Sequence, residues 1–239
     1  RKLYIAFQSA ADQIIEPGVN KEEIISEVTK TISEVTVDDE MGMIEMLGLV
    51  QDFLDIYESN EDVEHVYKTN FGALDSTIKF SQNKLVVIGA RPSVGKSALA
   101  FQLAWKWASQ GISVSVFSLE MDHREVVLRM ISQMSRLGQD EIARKSLSDN
   151  ELERMTNVAN KLAKMPLSIS AQPVISLLDI HAYMIEYQAE HDKYPEIIII
   201  DYLQFMQTAK GFSKNDEVEE VIKGLKMIAK TYKTCVIAL

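Results

Sequence analysis

Residues 85–104 read LVVIGARPSVGKSALAFQLA, and no other stretch of the chain restricts its folding so strongly. A run of β-branched and aliphatic residues is cut by a tight Gly-Lys-Ser corner, and an alanine- and leucine-rich helical stretch follows at once. Ala90 to Ser97 match the phosphate-binding loop, with alanine in place of the first glycine, and the flanking strand and helix give the match its meaning. Gly95 lets the backbone approach a phosphate closely, and the amide hydrogens at the helix start point at the anion. Lys96 is expected to neutralise the β- and γ-phosphates, and the Ser97 hydroxyl is placed to ligate Mg²⁺. The nucleotide-binding stretch expected here is Arg91, Pro92, Ser93, Val94, Gly95, Lys96, Ser97 and Ala98.

The rest of the chain must supply a sheet for this corner to sit on. From residue 71 onward, short β-branched runs alternate with helical stretches. The runs KLVVIGA, ISVSVFSLE, EIIIIDYLQ and TCVIAL lack clean alternation, as parallel strands covered on both faces do. Helical patterns separate them: SALAFQLAWKWASQ ending at Gly111, HREVVLRMISQMSRL ending at Gly138, DNELERMTNVANKLAKM stopped by Pro166, and SLLDIHAYMIEYQAEHDKY stopped by Pro195. The expectation is an α/β fold with a parallel sheet.

A P-loop binds a nucleotide, and hydrolysis requires more groups. The run IIIID ends in Asp201, where a carboxylate at the end of a neighbouring parallel strand can hold the metal through water. Tyr202 and Leu203 follow, so no glutamate stands beside Asp201 to polarise an attacking water. Glu120, at the end of VFSLEM, is the expected general base; its alternative is to cap the helix that begins in DHREVV. His65, His123, His181 and His191 show no metal-ligand spacing. Cys235 is the single cysteine and lies in an apolar run, which predicts a buried thiol in a reducing compartment.

Charge divides the chain. The net charge is −10 over 239 residues, which alone argues against a nucleic-acid binder. Residues 1–67, however, hold 4 Lys and Arg against 16 Asp and Glu, and residues 68–239 hold 21 against 19. The acidity belongs to the front segment, and local basic sites remain open behind it. That front segment reads as two amphipathic helices, KEEIISEVTKTISEVT and MIEMLGLVQDFLDIYES, joined by the acidic TVDDEMG. The second carries Met43, Leu47, Val50, Leu54 and Tyr57 on one face; it either packs on the domain that follows or docks on another subunit. No apolar run approaches a membrane span and the N-terminus lacks a signal-peptide pattern, so a cytoplasmic protein without membrane contact is expected. The missing initiator Met and the abrupt end inside an apolar strand suggest a fragment.

Taken in order and spacing, ARPSVGKSALAFQLA, FSLEM and IIIIDYLQFM resemble the ATPase domain of the DnaB family of hexameric replicative helicases, a RecA-like fold. NFGALD resembles that family's entry into the domain, and LSDNELERMTNVANKLAKMPLSI its middle segment. The resemblance implies a helical end of an N-terminal domain over 1–40, a linker helix and connector over 41–67 that docks on the adjacent subunit, and a RecA-like P-loop NTPase domain over 68–239. It also implies ATP and Mg²⁺ as cofactors, Lys96 and Glu120 as catalytic groups, and Ser97 and Asp201 at the metal. Single-stranded DNA would meet the loop QTAKGFSKNDEVEE through Lys210, Gly211, Lys214 and Asn215, where the family's version is richer in arginine. The sensor and arginine finger would lie beyond Leu239. The function so implied is a bacterial or phage-encoded 5′-to-3′ replicative DNA helicase working as a homo-oligomeric ring, a hexamer, with a primase and a helicase loader as further partners. A RecA-like recombinase or other DNA-dependent ATPase, or an ATP-controlled loader, would share the phosphate chemistry.

Overall fold

Ile197, Ile198, Ile199 and Ile200 are all fully buried, because the strand they form is covered on both faces. In the computed structural model, which describes residues 46–58, 65–91, 93–203, 206–207 and 214–239, the chain divides into two compact units, 1–63 and 64–239. The first is represented by one helix, α1 (Met46–Glu58), within the segment MIEMLGLVQDFLDIYES. Its Leu47, Val50, Leu54 and Tyr57 are exposed. The helix expected over 21–36 lies outside the described residues. The unit boundary falls at 63/64, ahead of the expected 67/68. Tyr67 accordingly belongs to the second unit, where it is buried and its amide donates to the Phe80 carbonyl at 2.7 Å.

The second unit runs α2 (Gly72–Thr77), β1 (Leu85–Val87), α3 (Lys96–Ala108), β2 (Val114–Ser118), α4 (His123–Ser135), α5 (Gln139–Ala143), α6 (Asp149–Leu162), β3 (Leu167–Ser170), β4 (Ile175–Ser176), α7 (Leu177–His191), β5 (Ile197–Asp201), β6 (Met206–Gln207), α8 (Lys214–Thr231) and β7 (Cys235–Ala238). Five strands form one parallel sheet in the order β1-β7-β5-β2-β3, and β4 pairs with β6 in a second, parallel pair.

The strands β2, β5 and β7 feed two cores, since side chains alternate faces along a strand. Ile197 and Ile199, with Val114, Val116, Cys235 and Ile237, pack with Phe101, Leu103 and Trp107 of α3. Ile198 and Ile200, with Phe117, Val236 and Ala238, pack with Ile180 and Met184 of α7 and Leu225 and Ile228 of α8. Each fully buried aliphatic side chain of this kind contributes roughly 1.5–3 kcal/mol. The two-faced core therefore explains the unbroken apolar runs. Cys235 is among the fully buried residues, and burial pushes its thiol up to about 12, so it stays protonated and unreactive.

Several elements leave little trace in the sequence. The strand β3 is short, half-buried and polar at alternate positions (LSIS), with a weaker signal than the isoleucine run. The helix α8 begins inside the expected loop QTAKGFSKNDEVEE and runs on through Val221, Leu225, Ile228 and Ala229, which carry helical spacing and are buried. It approaches α7 closely enough that a Cβ on Gly224 would meet the tip of the Leu177 side chain, which would have to turn aside. The pair β4–β6 is too brief to leave a period. Among the described residues, no helix is long and apolar enough to cross a membrane.

Candidate functional site

The corner that interrupts the first apolar run is built by backbone conformation. Gly95 caps α3 with φ +101°, in the left-handed region that favours glycine, and Ser93 also has a positive φ of 65°. The chain thereby turns from β1 into α3 within a few residues. No side chain caps the start of α3, so its first amide hydrogens stay available to a ligand. Lys96 and Ser97 open the helix, as the loop pattern requires. Pro92 lies outside the described residues.

A cleft of about 680 Å³ opens over this helix start, lined by Ala90, Arg91, Ser93, Gly95, Lys96, Ser97, Ala98, Glu120, Met121, Glu125, Arg129 and Tyr202. Glu120 sits just past the end of β2, exposed on the cleft wall. The capping alternative for Glu120 belongs instead to Asp122, whose carboxylate accepts the Glu125 amide hydrogen at 2.9 Å at the start of α4. The Lys96 ammonium lies 4.5 Å from the centroid of the Tyr202 ring, an attraction between a cation and the ring's negative face.

Asp201 ends β5 and is completely buried, and neither carboxylate oxygen has a hydrogen-bond partner. A buried carboxylate without donors destabilises a fold, so its presence here fits a group that binds a cation. A hard carboxylate oxygen of this type suits Mg²⁺, although Asp201 lies behind the cleft wall and is not itself among the residues that line it with Ser97. The expectation that Asp201 stands on the strand next to β1 is corrected: β7, formed by the apolar TCVIAL run, lies between β1 and the central strand β5. The strand beside β5 on the other flank is β2, so Asp201 and the chain leading to Glu120 leave the sheet together.

The expected DNA residues are placed less fully. Lys210 and Gly211 lie outside the described residues. Lys214 and Asn215, expected in a loop, are the first residues of α8, and Gln207 belongs to β6. Sequence reading missed Glu125, Arg129 and Tyr202 as cleft residues. The first two stand four apart on α4 and pair at 2.7 Å, so their i,i+4 spacing on an amphipathic helix was the available signal. No group of three or more His, Cys, Asp or Glu side chains gathers elsewhere as a metal site among the described residues.

Sheet order, loop conformation and cleft together define a RecA-like P-loop domain. Residues 67–239 match the family model of the DnaB-like helicase C terminal domain, and the chain belongs to that family. It is 32% identical over 228 residues to the replicative DNA helicase DnaC of Bacillus subtilis (strain 168), covering 91% of this chain and 49% of that protein. It is 29% identical to the replicative DNA helicase DnaB of Geobacillus stearothermophilus, covering 96% and 53%. The chain thus spans about half the length of these curated relatives. Two solved structures share the fold. One, described as an ATPase domain, superposes with a TM-score of 0.73 at 23% identity, over 80% of this chain and 69% of that one. The other, a DnaB-like replicative helicase described with its interactions with primase, superposes with a TM-score of 0.75 at 22% identity, over 100% and 56%.

Proposed function

We propose that this chain is the motor portion of an ATP-dependent replicative DNA helicase. The observation that carries the reading is the buried, unpartnered Asp201 carboxylate on the strand next to the one that leads to Glu120. In this reading ATP lies in the cleft over α3. The amide hydrogens of residues 93–98 and the Lys96 ammonium would bind its phosphates, while Ser97 and Asp201 would hold Mg²⁺. When bound, Mg²⁺ would supply neutralisation of phosphate charge. Glu120 accepts the proton of the attacking water, and its exposed position on the cleft wall gives it access to that water.

The family and the relatives' names support DNA as the track. The protein would work in the cytoplasm as a homo-oligomeric ring, a hexamer, moving 5′ to 3′ on single-stranded DNA with ATP hydrolysed between subunits. The stretch leading to Lys210, Gly211, Lys214 and Asn215 leaves β5 directly after Asp201, which gives strand grip a short mechanical path to the metal site. The neighbour described with primase supports a primase as partner, and a ring that must be placed on DNA supports a loader. Strand displacement on a forked duplex by the full-length protein tests the reading. ATP-dependent unwinding is expected; ATP turnover stimulated by DNA without unwinding would sink the helicase assignment and favour a recombinase-like or loader activity.

A further inference from the structure

The face of α4 turned toward the phosphate helix carries Glu125, Arg129 and Gln133 at intervals of four, among the apolar Val126 and Met130 that join the core. Gln133 forms the longest-range tie of the three. Its amide nitrogen donates to the Ala98 carbonyl at 3.0 Å, across 35 residues of sequence. A carbonyl can only accept, so the orientation of the side-chain amide is set by chemistry. Its own oxygen, Oε1, is buried without a hydrogen-bond partner. Helix-on-helix packing at this partly buried position would be better served by leucine or methionine, and an amide whose shielded oxygen is left unsatisfied calls for a role beyond packing.

The position of the bond suggests that role. Ala98 lies in the first turn of α3, directly after Lys96 and Ser97. The helix that carries Gln133 starts directly after Glu120 and Met121, at the Asp122 cap. Apolar side chains let two helices slide past each other; a directional hydrogen bond sets their register. We propose that Gln133 is a positioning residue for ATP hydrolysis. By holding the Ala98 carbonyl it sets the separation between Glu120, at the root of α4, and the phosphate and metal ligands at the head of α3. Gln133 itself is not part of the cleft lining. This inference rests on the reading of Glu120 as the base.

The test compares ATP turnover and binding of a fluorescent ATP analogue in the full-length protein and in its Gln133→Met and Gln133→Glu variants, from about pH 6 to about pH 8.5. Methionine keeps the length and the packing and removes the donor. Its kcat should fall about tenfold while KM and analogue affinity stay within about twofold of the parent. A glutamate carboxylate cannot donate to Ala98, whereas the protonated acid can, and burial raises its pKa. The kcat of the Gln133→Glu variant, divided by the parent's at each pH, should therefore rise several-fold as pH falls. Parent-like kcat in the methionine variant overturns the proposal, as does a loss shared equally by kcat and analogue affinity. A glutamate variant impaired to the same degree at every pH overturns it too. A Lys96→Ala control separates the two levels: a parent that does not hydrolyse ATP at all, or a control that hydrolyses it normally, sinks the underlying site. Normal parent turnover lost in the control, with unaffected Gln133 variants, sinks only this inference.

Discussion

Ser118 and Asp201 are register partners at the ends of β2 and β5, and the next residue on β2's side, Leu119, donates its amide hydrogen to the Asp201 carbonyl at 2.7 Å. The bond carries the parallel ladder one step past the strands. Asp201 and the backbone leading to Glu120 are therefore held by the same sheet.

That relation makes the first expectation specific. Glu120→Gln should abolish ATP turnover while leaving ATP bound, because the phosphate and metal ligands stay in place. Lys96→Ala should weaken binding as well. Single-turnover hydrolysis alongside equilibrium nucleotide binding checks both, and a Glu120→Gln enzyme that turns over at the parent rate removes Glu120 from the chemistry.

Asp201→Asn separates stability from function in opposite directions. Replacing a buried, unpartnered carboxylate by a neutral amide of the same shape should stabilise the metal-free protein by about 1–3 kcal/mol and abolish Mg²⁺-dependent nucleotide binding. Thermal melts with and without Mg²⁺ and ATP show this as a raised baseline melting temperature with no ligand-induced increase. A variant less stable than the parent without metal would mean that the carboxylate has a structural partner.

The exposed apolar face of α1 gives a third expectation. Leu47 and Leu54 are 67% and 49% exposed, and in the proposed ring they dock on a neighbouring subunit. Leu47→Asp with Leu54→Asp should lower ATPase activity in proportion to the loss of ring, followed by size-exclusion with light scattering. Full activity in a strictly monomeric preparation would count against docking.

Lys210 and Lys214 together test the DNA path. Their replacement by alanine should weaken single-stranded DNA binding, flatten its salt dependence by up to about two units of slope per engaged subunit, and spare ATP binding without DNA. Parent values of both affinity and slope would move the contact elsewhere.

The acid limb of stability should carry the signature of His181. Burial holds its imidazole down at about 4 from an ordinary 6.5, and its Nδ1 lies 2.7 Å from the Tyr232 hydroxyl. Between those values the unfolded chain binds the proton that the folded one refuses. The contribution is thus complete above about pH 6.5 and lost progressively toward pH 4, about 3 kcal/mol in all. Denaturant melts across that range should show His181→Gln with a shallower pH slope than the parent; an identical slope would assign the acid limb to other groups.

Much of the site was readable because its parts are local. Gly95, Lys96 and Ser97 sit in one short segment whose conformation is dictated by glycine's access to positive φ, and the apolar runs ending at Ser118 and Asp201 announce strands covered on both faces. Asp122 shows the limit of such reading: it caps α4, yet sequence alone left that role open to Glu120 two residues before it. The helix α8 had a readable period in Val221, Leu225 and Ile228, obscured by the charged residues at its start.

What the amino-acid sequence determined by itself is the set of pieces: a phosphate-binding corner, strand ends carrying Asp201 and Glu120, and helices with their starts and stops. Turn chemistry and hydrophobic period act over a few residues, so these pieces declare themselves without partners. Only the tertiary structure decided that β7 stands between β1 and β5, that Ser118 pairs with Asp201, and that Gln133 reaches Ala98. Strands with equally apolar faces can be exchanged in a sheet without altering any local pattern. Their order is selected by how α3, α7 and α8 fill the two cores at once, and that selection depends on packing between residues far apart in the chain.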